Sequence, residues 1–312
     1  MPGFRLDRHI ISARASGPAR GRLGRLLLAA ALALSAAGSA QALEFIRKPL
    51  ENGMVLLLVV DKSPCAENES CGFKEGDANN LDRLLRSERF TQVLLYSGGG
   101  DSKEGERVGA VLRARGAWVR VVRGHYCVSA CTAAFLGGVI REVDEGAPFR
   151  VHSSSSYLNG VPAPVWKRVE KDPALALGEL IDNTIVFRVE WTLSRFAYVQ
   201  RMISGEPRAA MLDAGRQACT AQARQQLASP ASMRQIIQRV GAEGRPALND
   251  IMENTERRTA EICLAHLASQ SAELGPRANH VLRIMDIMTA SRIGATINLS
   301  PQALREAGFV TQ

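Results

Sequence analysis

Two apolar runs, at residues 53–60 and 91–96, stand out in the first half of the chain and predict buried strands. Residues 117–122 and 148–152 predict a third and a fourth strand. Between them, leucine at helical spacing predicts a helix at 80–89, and a further helix is predicted from Asp101 to about Arg115 and another at 128–136. Strands that alternate with helices in this order predict an α/β fold with a mainly parallel sheet.

The pattern changes after residue 152. Residues 153–164 are rich in Ser, Gly and Pro and predict a loop, whereas residues 174–203 predict a long apolar helix. Residues 205–276 stay helical but are more polar, and we interpret them as a helical insertion or arm. Residues 277–312 then predict an apolar helix and a closing segment, with a cap at Ser300, Pro301 at the first helical position, and a short strand end after Gly308.

The first 42 residues have the layout of a secretory signal peptide. Six arginines and one aspartate precede an apolar run at residues 26–37, and Ala40-Gln41-Ala42 supplies the small residues that signal peptidase requires. The run is shorter than the ~20 residues that span a bilayer, although an uncleaved anchor remains the alternative. We therefore predict cleavage near Ala42 and a protein that is periplasmic or secreted, with a core at 43–204 that residues 277–312 complete.

Without the predicted signal peptide, the net charge of the chain no longer indicates a strongly basic protein. The whole chain carries a formal charge of +8, and the six arginines and one aspartate of the signal account for five of these charges. The remainder contains no dense block of Lys and Arg, so we expect no nucleic-acid partner.

Six cysteines in an exported chain predict disulfide bonds rather than free thiols. Proximity favours Cys65 with Cys71, and Cys219 with Cys263 across two helical segments. Cys127 and Cys131 are left open, because a bond between them would need unusual geometry if both lay on one helix. No C-x-x-C pair is present and there are five histidines, so we predict no metal site.

Three short motifs carry residues that could perform chemistry. Ser97-Gly98-Gly99-Gly100 follows a buried strand, where glycines can point N–H groups into a cleft; a plain strand-to-helix turn is the alternative. Ser129 lies between a strand and a helix, as a nucleophile or as an ordinary helix cap. His152 ends a strand and could act as its general base, with His125 as a competitor.

Taken together, these motifs resemble the proteolytic subunits of Clp proteases and the wider Clp/crotonase superfamily, and are closest to exported Clp-like proteins. The resemblance rests on residues 97–100 with Glu104-Gly105, on Cys127-Val128-Ser129-Ala130-Cys131, on Arg150-Val151-His152, and on Leu299-Ser300 through Val310. It covers roughly residues 53–159 and 277–312. It implies a Clp/crotonase-like core of repeated β-β-α units in a spiral, here with a C-terminal helical insertion.

The resemblance also implies a mechanism. Ser129 would be the nucleophile and His152 the base, and the N–H groups of Gly99 and Ala130 would form the oxyanion hole. The family's third member, an aspartate shortly before the closing Leu-Ser, has no equivalent in residues 289–294, which leaves Asp286 or Ser291 as candidates.

The expected function is therefore that of an exported, ATP-independent serine peptidase that acts on peptides or unfolded proteins. We expect no cofactor and no ATPase partner, while the superfamily's rings and trimers make a homo-oligomer an open question. The alternatives are a catalytically inactive binding or scaffold protein of the same fold, and another acyl hydrolase such as an esterase or thioesterase. An open groove with Ser129 and His152 within hydrogen-bond reach favours a peptidase, whereas a groove covered by the helical arm at 205–276 favours a scaffold.

Overall fold

The computed structural model describes residues 43–62, 72–152, 157, 160–275, 277–290 and 296–311. The predicted signal peptide, the Cys65–Cys71 pair, most of the predicted 153–164 loop and Ser291 lie outside the described residues. The described part is a mixed α/β structure of helices and two sheets. No helix within these residues is both long enough and apolar enough to cross a bilayer.

The larger sheet has five strands in the order β1-β2-β3-β4-β6. Its strands are β1 (Leu43–Pro49), β2 (Val55–Asp61), β3 (Gln92–Tyr96), β4 (Trp118–Val121) and β6 (Ile140–Val143). All neighbours pair in parallel except β1, which lies antiparallel to β2 at the edge. The predicted mainly parallel sheet is therefore confirmed.

The smaller sheet has the order β5-β7-β8, from β5 (Cys127–Val128), β7 (Phe149–Val151) and β8 (Ile297–Asn298). Strands β5 and β7 are parallel, and β8 returns antiparallel to β7 from the far end of the chain. An isolated parallel bridge between Ser97 and Cys127 links the end of β3 to β5. Residues from three distant parts of the sequence thus meet at one place.

Three helices follow the first strands: α1 (Asp77–Ser87), α2 (Ser102–Ala114) and α3 (Ala130–Leu136). The C-terminal half is helical: α4 (Ala163–Lys171), α5 (Pro173–Ile203), α6 (Ala209–Leu227), α7 (Pro230–Glu243), α8 (Arg245–Ser269), a 3-10 turn (Ser271–Leu274), α9 (Ala278–Ala290) and α10 (Pro301–Ala307). The Cys219–Cys263 disulfide joins α6 to α8, which confirms that predicted pair.

Two boundaries differ from the sequence prediction. Helix α4 begins at Ala163, inside the predicted 153–164 loop, because Pro162 and Pro164 are compatible with a first helical turn. No strand follows Gly308 among the described residues. Instead, the segment is held by Arg141, a buried side chain that donates to the carbonyl oxygens of Phe309 (2.6 Å), Gly138 (2.9 Å) and Gly308 (3.2 Å). Burial lowers the pKa of Arg141 to about 10.

Close packing of small residues places α3 against its neighbours. A Cβ atom on Gly105 of α2 would lie 2.5 Å from the carbonyl oxygen of Ala130, so the two helices approach closely only because Gly105 lacks one. On another side, the hydroxyl of Tyr198 in α5 donates to the carbonyl oxygen of Ala133 at 2.6 Å. Helix α3 is therefore fixed from two directions, and so is the residue that precedes it.

Candidate active site

Ser129 occupies the tight junction between β5 and α3. Its φ of 56° and ψ of −120° make it the one non-glycine residue with positive φ in the part of the chain that the structure describes. Such a backbone conformation costs on the order of 1–3 kcal/mol and persists only where the surroundings enforce it. The side chain makes no capping hydrogen bond to α3, so the interpretation of Ser129 as an ordinary helix cap does not hold.

The backbone around Ser129 is held at both ends. Its N–H donates to the carbonyl oxygen of Arg150 at 3.1 Å. Its own carbonyl oxygen accepts from the N–H of Thr132 at 2.9 Å and from the Thr132 hydroxyl at 2.6 Å. These contacts fix the peptide groups on either side of the strained residue, and with them the direction of its Cα–Cβ bond.

A disulfide bond between Cys127 and Cys131 spans Ser129. Cys127 begins β5 and only Cys131 lies on α3, so the two cysteines do not share a helix and the bond needs no unusual helix geometry. The sharp backbone at Ser129 brings the two Cα atoms to 5.3 Å, within the usual range for a disulfide.

The glycine turn after β3 lies directly against Ser129. A Cβ atom on Gly99 would stand 2.7 Å from the Ser129 Cβ and 3.2 Å from its Oγ, and Gly99 itself has a φ of 119°. The N–H of Gly99 donates to the hydroxyl of Ser97 at 3.1 Å, and the N–H of Gly98 donates to Asp61 at 2.7 Å. The predicted oxyanion residue is thus beside the hydroxyl, with its N–H bonded within the turn.

His152 follows β7 and comes close to Ser129 through the small sheet. The pairing of Val128 with Arg150 means that the residue after β5 and the residue after β7 leave the sheet at the same edge. Ser129, Ala130 and His152 line one cavity. The competitor His125 does not line this cavity and packs instead against the ring of Tyr96, with centroids 4.6 Å apart.

The cavity is small and only partly covered, since Ser129 and His152 are half-buried. Its volume is about 20 Å³, enough for about one water molecule. The cover consists of Trp191 and Arg195 from α5 and Met288 from α9, while Ser102, Thr132 and Val151 complete the lining. The covering side chains come from outside the predicted 205–276 arm, so the helices that cover the site belong to the segments assigned to the core.

The candidates for a third catalytic residue are not brought to this cavity. Asp286 is exposed and lines a separate cavity of about 440 Å³, together with Arg257 and Glu261. It lies two residues from Met288, which points to the opposite side of α9. Ser291 lies outside the described residues.

Arg195 introduces a charge that sequence reasoning had missed. Its side chain is only 6% exposed and pairs with Glu106 at 3.1 Å. Burial raises the pKa of the Glu106 carboxyl, an effect that the charge of Arg195 opposes. A signal was present in the sequence, since Arg188, Trp191 and Arg195 recur at helical spacing in an otherwise apolar segment.

Among the described residues no cluster of His, Cys, Asp or Glu is suited to hold a metal ion.

Comparisons with known proteins add little to this geometry. No protein-family model matches the chain, and no curated protein is significantly similar to it. Among solved structures, it is similar to a carnitinyl-CoA dehydratase from Mycobacterium thermoresistibile, at 11% identity over 87% of this chain and 97% of the other. The TM-score is 0.27, too low to establish a shared fold or activity.

Proposed function

We propose that this protein is an exported, ATP-independent serine peptidase with a Clp/crotonase-like core, in which Ser129 is the nucleophile and His152 the general base. The observation that carries the proposal is the strained backbone of Ser129, which shares one cavity with His152. A serine held at positive φ between a strand and a helix presents its hydroxyl at the turn, and backbone strain of this kind is concentrated at functional sites.

The proposed reaction needs these side chains and water. Ser129 Oγ attacks the carbonyl carbon of a peptide bond while His152 accepts the hydroxyl proton. The C–N bond then breaks as His152 returns the proton to the leaving amine, and water hydrolyses the acyl-enzyme by the same route. The Ala130 N–H, and the Gly99 N–H once released from Ser97, are the proposed oxyanion donors.

Further parts of the proposal follow from export. Two disulfides among the described residues are consistent with an oxidising compartment, and we propose release near Ala42 into the periplasm or beyond. The substrates are then peptides or unfolded proteins, handled without cofactor, ATPase or nucleic acid. We propose residues 205–276 as an insertion into the 43–204 and 277–312 core, and leave the number of subunits to measurement.

The test is labelling of the signal-less protein with a fluorophosphonate probe, which reacts with activated serines. Wild-type protein should be labelled, and Ser129→Ala and His152→Ala should not. Ser102→Ala is the matched control because Ser102 lines the same cavity, and His125→Ala controls for the rival base; both should be labelled like wild type. Labelling that survives Ser129→Ala in folded protein refutes the assignment.

A second function, a non-catalytic binding protein, is favoured by one observation: Trp191, Arg195 and Met288 leave the cavity at Ser129 room for about one water molecule. Absence of labelling in folded wild-type protein would establish this alternative over the peptidase. Another acyl hydrolase would be labelled as the peptidase is, and parallel assays on peptide and ester or thioester substrates separate those two.

A further inference from the structure

Arg195 is the one Arg, Lys, Asp or Glu among the described residues that line the Ser129 cavity. It reaches this position from α5, and its side chain is 6% exposed. A guanidinium so deeply buried is costly unless its donors are satisfied. The cost of placing it beside the hydroxyl and imidazole therefore calls for an explanation.

The contacts of Arg195 within the protein do not use all the hydrogen-bond donors of its guanidinium. Its Nη1 pairs with Glu106, and its guanidinium lies 5.2 Å from the ring centroid of Trp191. Its Nε has no hydrogen-bond partner among the described residues, although the atom is fully buried. A guanidinium presents a planar fork of donors that matches a carboxylate. Arg195 thus retains donor capacity next to the proposed nucleophile.

We propose that Arg195 determines specificity by binding a carboxylate of the substrate, so that the enzyme cleaves next to the free C-terminus of a peptide. This inference rests on the proposed peptidase function, because the peptide class of substrate comes from it. A peptide's carboxylate has two sources, the terminal α-carboxyl group and an Asp or Glu side chain. The confined cavity favours the terminal group, because the peptide ends there and no further residues have to be accommodated.

Glu106 takes a defined part in this arrangement. Its carboxylate already occupies one side of the guanidinium, and it therefore competes with a substrate carboxylate for the same charge. Removing the Glu106 charge should strengthen substrate binding, whereas removing the Arg195 charge should abolish the preference. These opposite signs distinguish carboxylate recognition from a purely structural ion pair, for which either change would only destabilise the fold.

The experiment measures peptide binding by calorimetry in the Ser129→Ala background, where no turnover occurs. The ligands are acetyl-Ala-Ala with a free C-terminus, the same peptide as its C-terminal amide, and acetyl-Asp-Ala amide. The free acid should bind about 10- to 100-fold more tightly than the plain amide, the range expected for a charge-assisted hydrogen bond. If acetyl-Asp-Ala amide binds as tightly as the free acid, the terminal-carboxylate assignment is overturned.

Variants then assign the preference to one side chain. Arg195→Gln should bring the acid-to-amide ratio close to one, Arg195→Lys should keep part of it, and Glu106→Gln should raise affinity for the acid. Arg188→Gln is the matched control, since Arg188 is also buried on α5 and also lies against the ring of Trp191, at 4.2 Å from its centroid, but does not line the cavity. It should leave the ratio unchanged.

The outcomes separate this inference from the proposed function. Equal affinity for acid and amide, or no binding of either, overturns the carboxylate proposal even if wild-type protein reacts with the fluorophosphonate. A carboxylate preference that depends on Arg195, in a protein that the probe does not label, would support the site while refuting the peptidase. Glu106→Gln keeps the test decisive if Arg195 variants fail to fold, because weaker or unchanged acid binding contradicts the proposal.

Discussion

Substituting Gly99 with alanine should disable Ser129 while leaving the fold in place. The new Cβ would stand 2.7 Å from the Ser129 Cβ and 3.2 Å from its Oγ. Carbon atoms in ordinary contact are about 3.5–4.0 Å apart, so the two segments must separate by about 1 Å. A misplacement of about 1 Å at a reacting group costs on the order of 10²-fold in rate.

The fold should survive this change. The positive φ of Gly99 adds a backbone cost of about 1–3 kcal/mol for alanine, against a typical total stability of about 5–15 kcal/mol. Gly98→Ala is the matched control, because a Cβ there meets its first neighbour, Asp61, at an ordinary 3.5 Å, and Gly98 is outside the left-handed region.

The assay is the rate of fluorophosphonate labelling, measured beside a thermal melt for each variant. Gly99→Ala should be labelled about 100-fold more slowly than wild type, with Gly98→Ala within a few-fold of it. Equal labelling rates for the two folded variants would refute the reasoning, because they would show that the glycine turn does not restrict the position of Ser129.

Three further pairs of substitutions test the remaining structural claims. Ser129→Gly should stabilise the protein by about 1 kcal/mol in a urea titration. Glycine removes the backbone strain at positive φ, and this gain exceeds the extra conformational entropy that glycine gives the unfolded chain. Ser129→Ala should show no such gain, because alanine is strained at the same φ. Cys131→Ser should slow fluorophosphonate labelling about 10-fold or more by freeing the turn at Ser129, a loss of the positioning that can cost about 10²-fold per ångström. Cys263→Ser should instead lower stability by roughly 3–4 kcal/mol, because its bond closes a span of 44 residues, and should leave labelling of the folded protein unchanged. Arg141→Met should lower the free energy of unfolding by about 3 kcal/mol in urea, since several buried carbonyl groups lose their donor, whereas the exposed Arg305→Met should change it by less than about 0.5 kcal/mol.

Strands β2 and β3 could be predicted because each contains a continuous apolar run, as strands covered on both faces tend to do. Strands β1 and β6 lie at the two edges of the large sheet and carry polar residues at intervals, in LEFIRKP and IREV. The polar side chains of β1 reach solvent, whereas Arg141 of β6 is buried and bonds to backbone carbonyl groups. Local apolar content therefore gave no signal for them. Strand β8 has two residues and depends wholly on its partner β7.

In the candidate site too, residues in local sequence motifs could be predicted and residues brought in by long-range packing could not. Ser129, Gly99 and His152 could be proposed because each stands at the end of a strand, in a motif readable within a few residues. The cover over the site could not, because Trp191 and Met288 meet Ser129 only through helix packing across more than 60 residues of sequence. The Cys127–Cys131 bond depended on a backbone turn that spacing alone does not reveal.

The tie between Arg141 and Phe309 joins residues 168 positions apart, and β8 reaches β7 across a similar distance. Contacts so distant in sequence close large loops, and they form late and slowly when a chain folds. Strand β7, which His152 follows, therefore gains its second neighbour, β8, only when residues near the end of the described chain have joined the fold. In a partly folded chain, Ser129 and His152 would lack the complete small sheet that orients them. Any reactivity of Ser129 would therefore appear only when folding is complete.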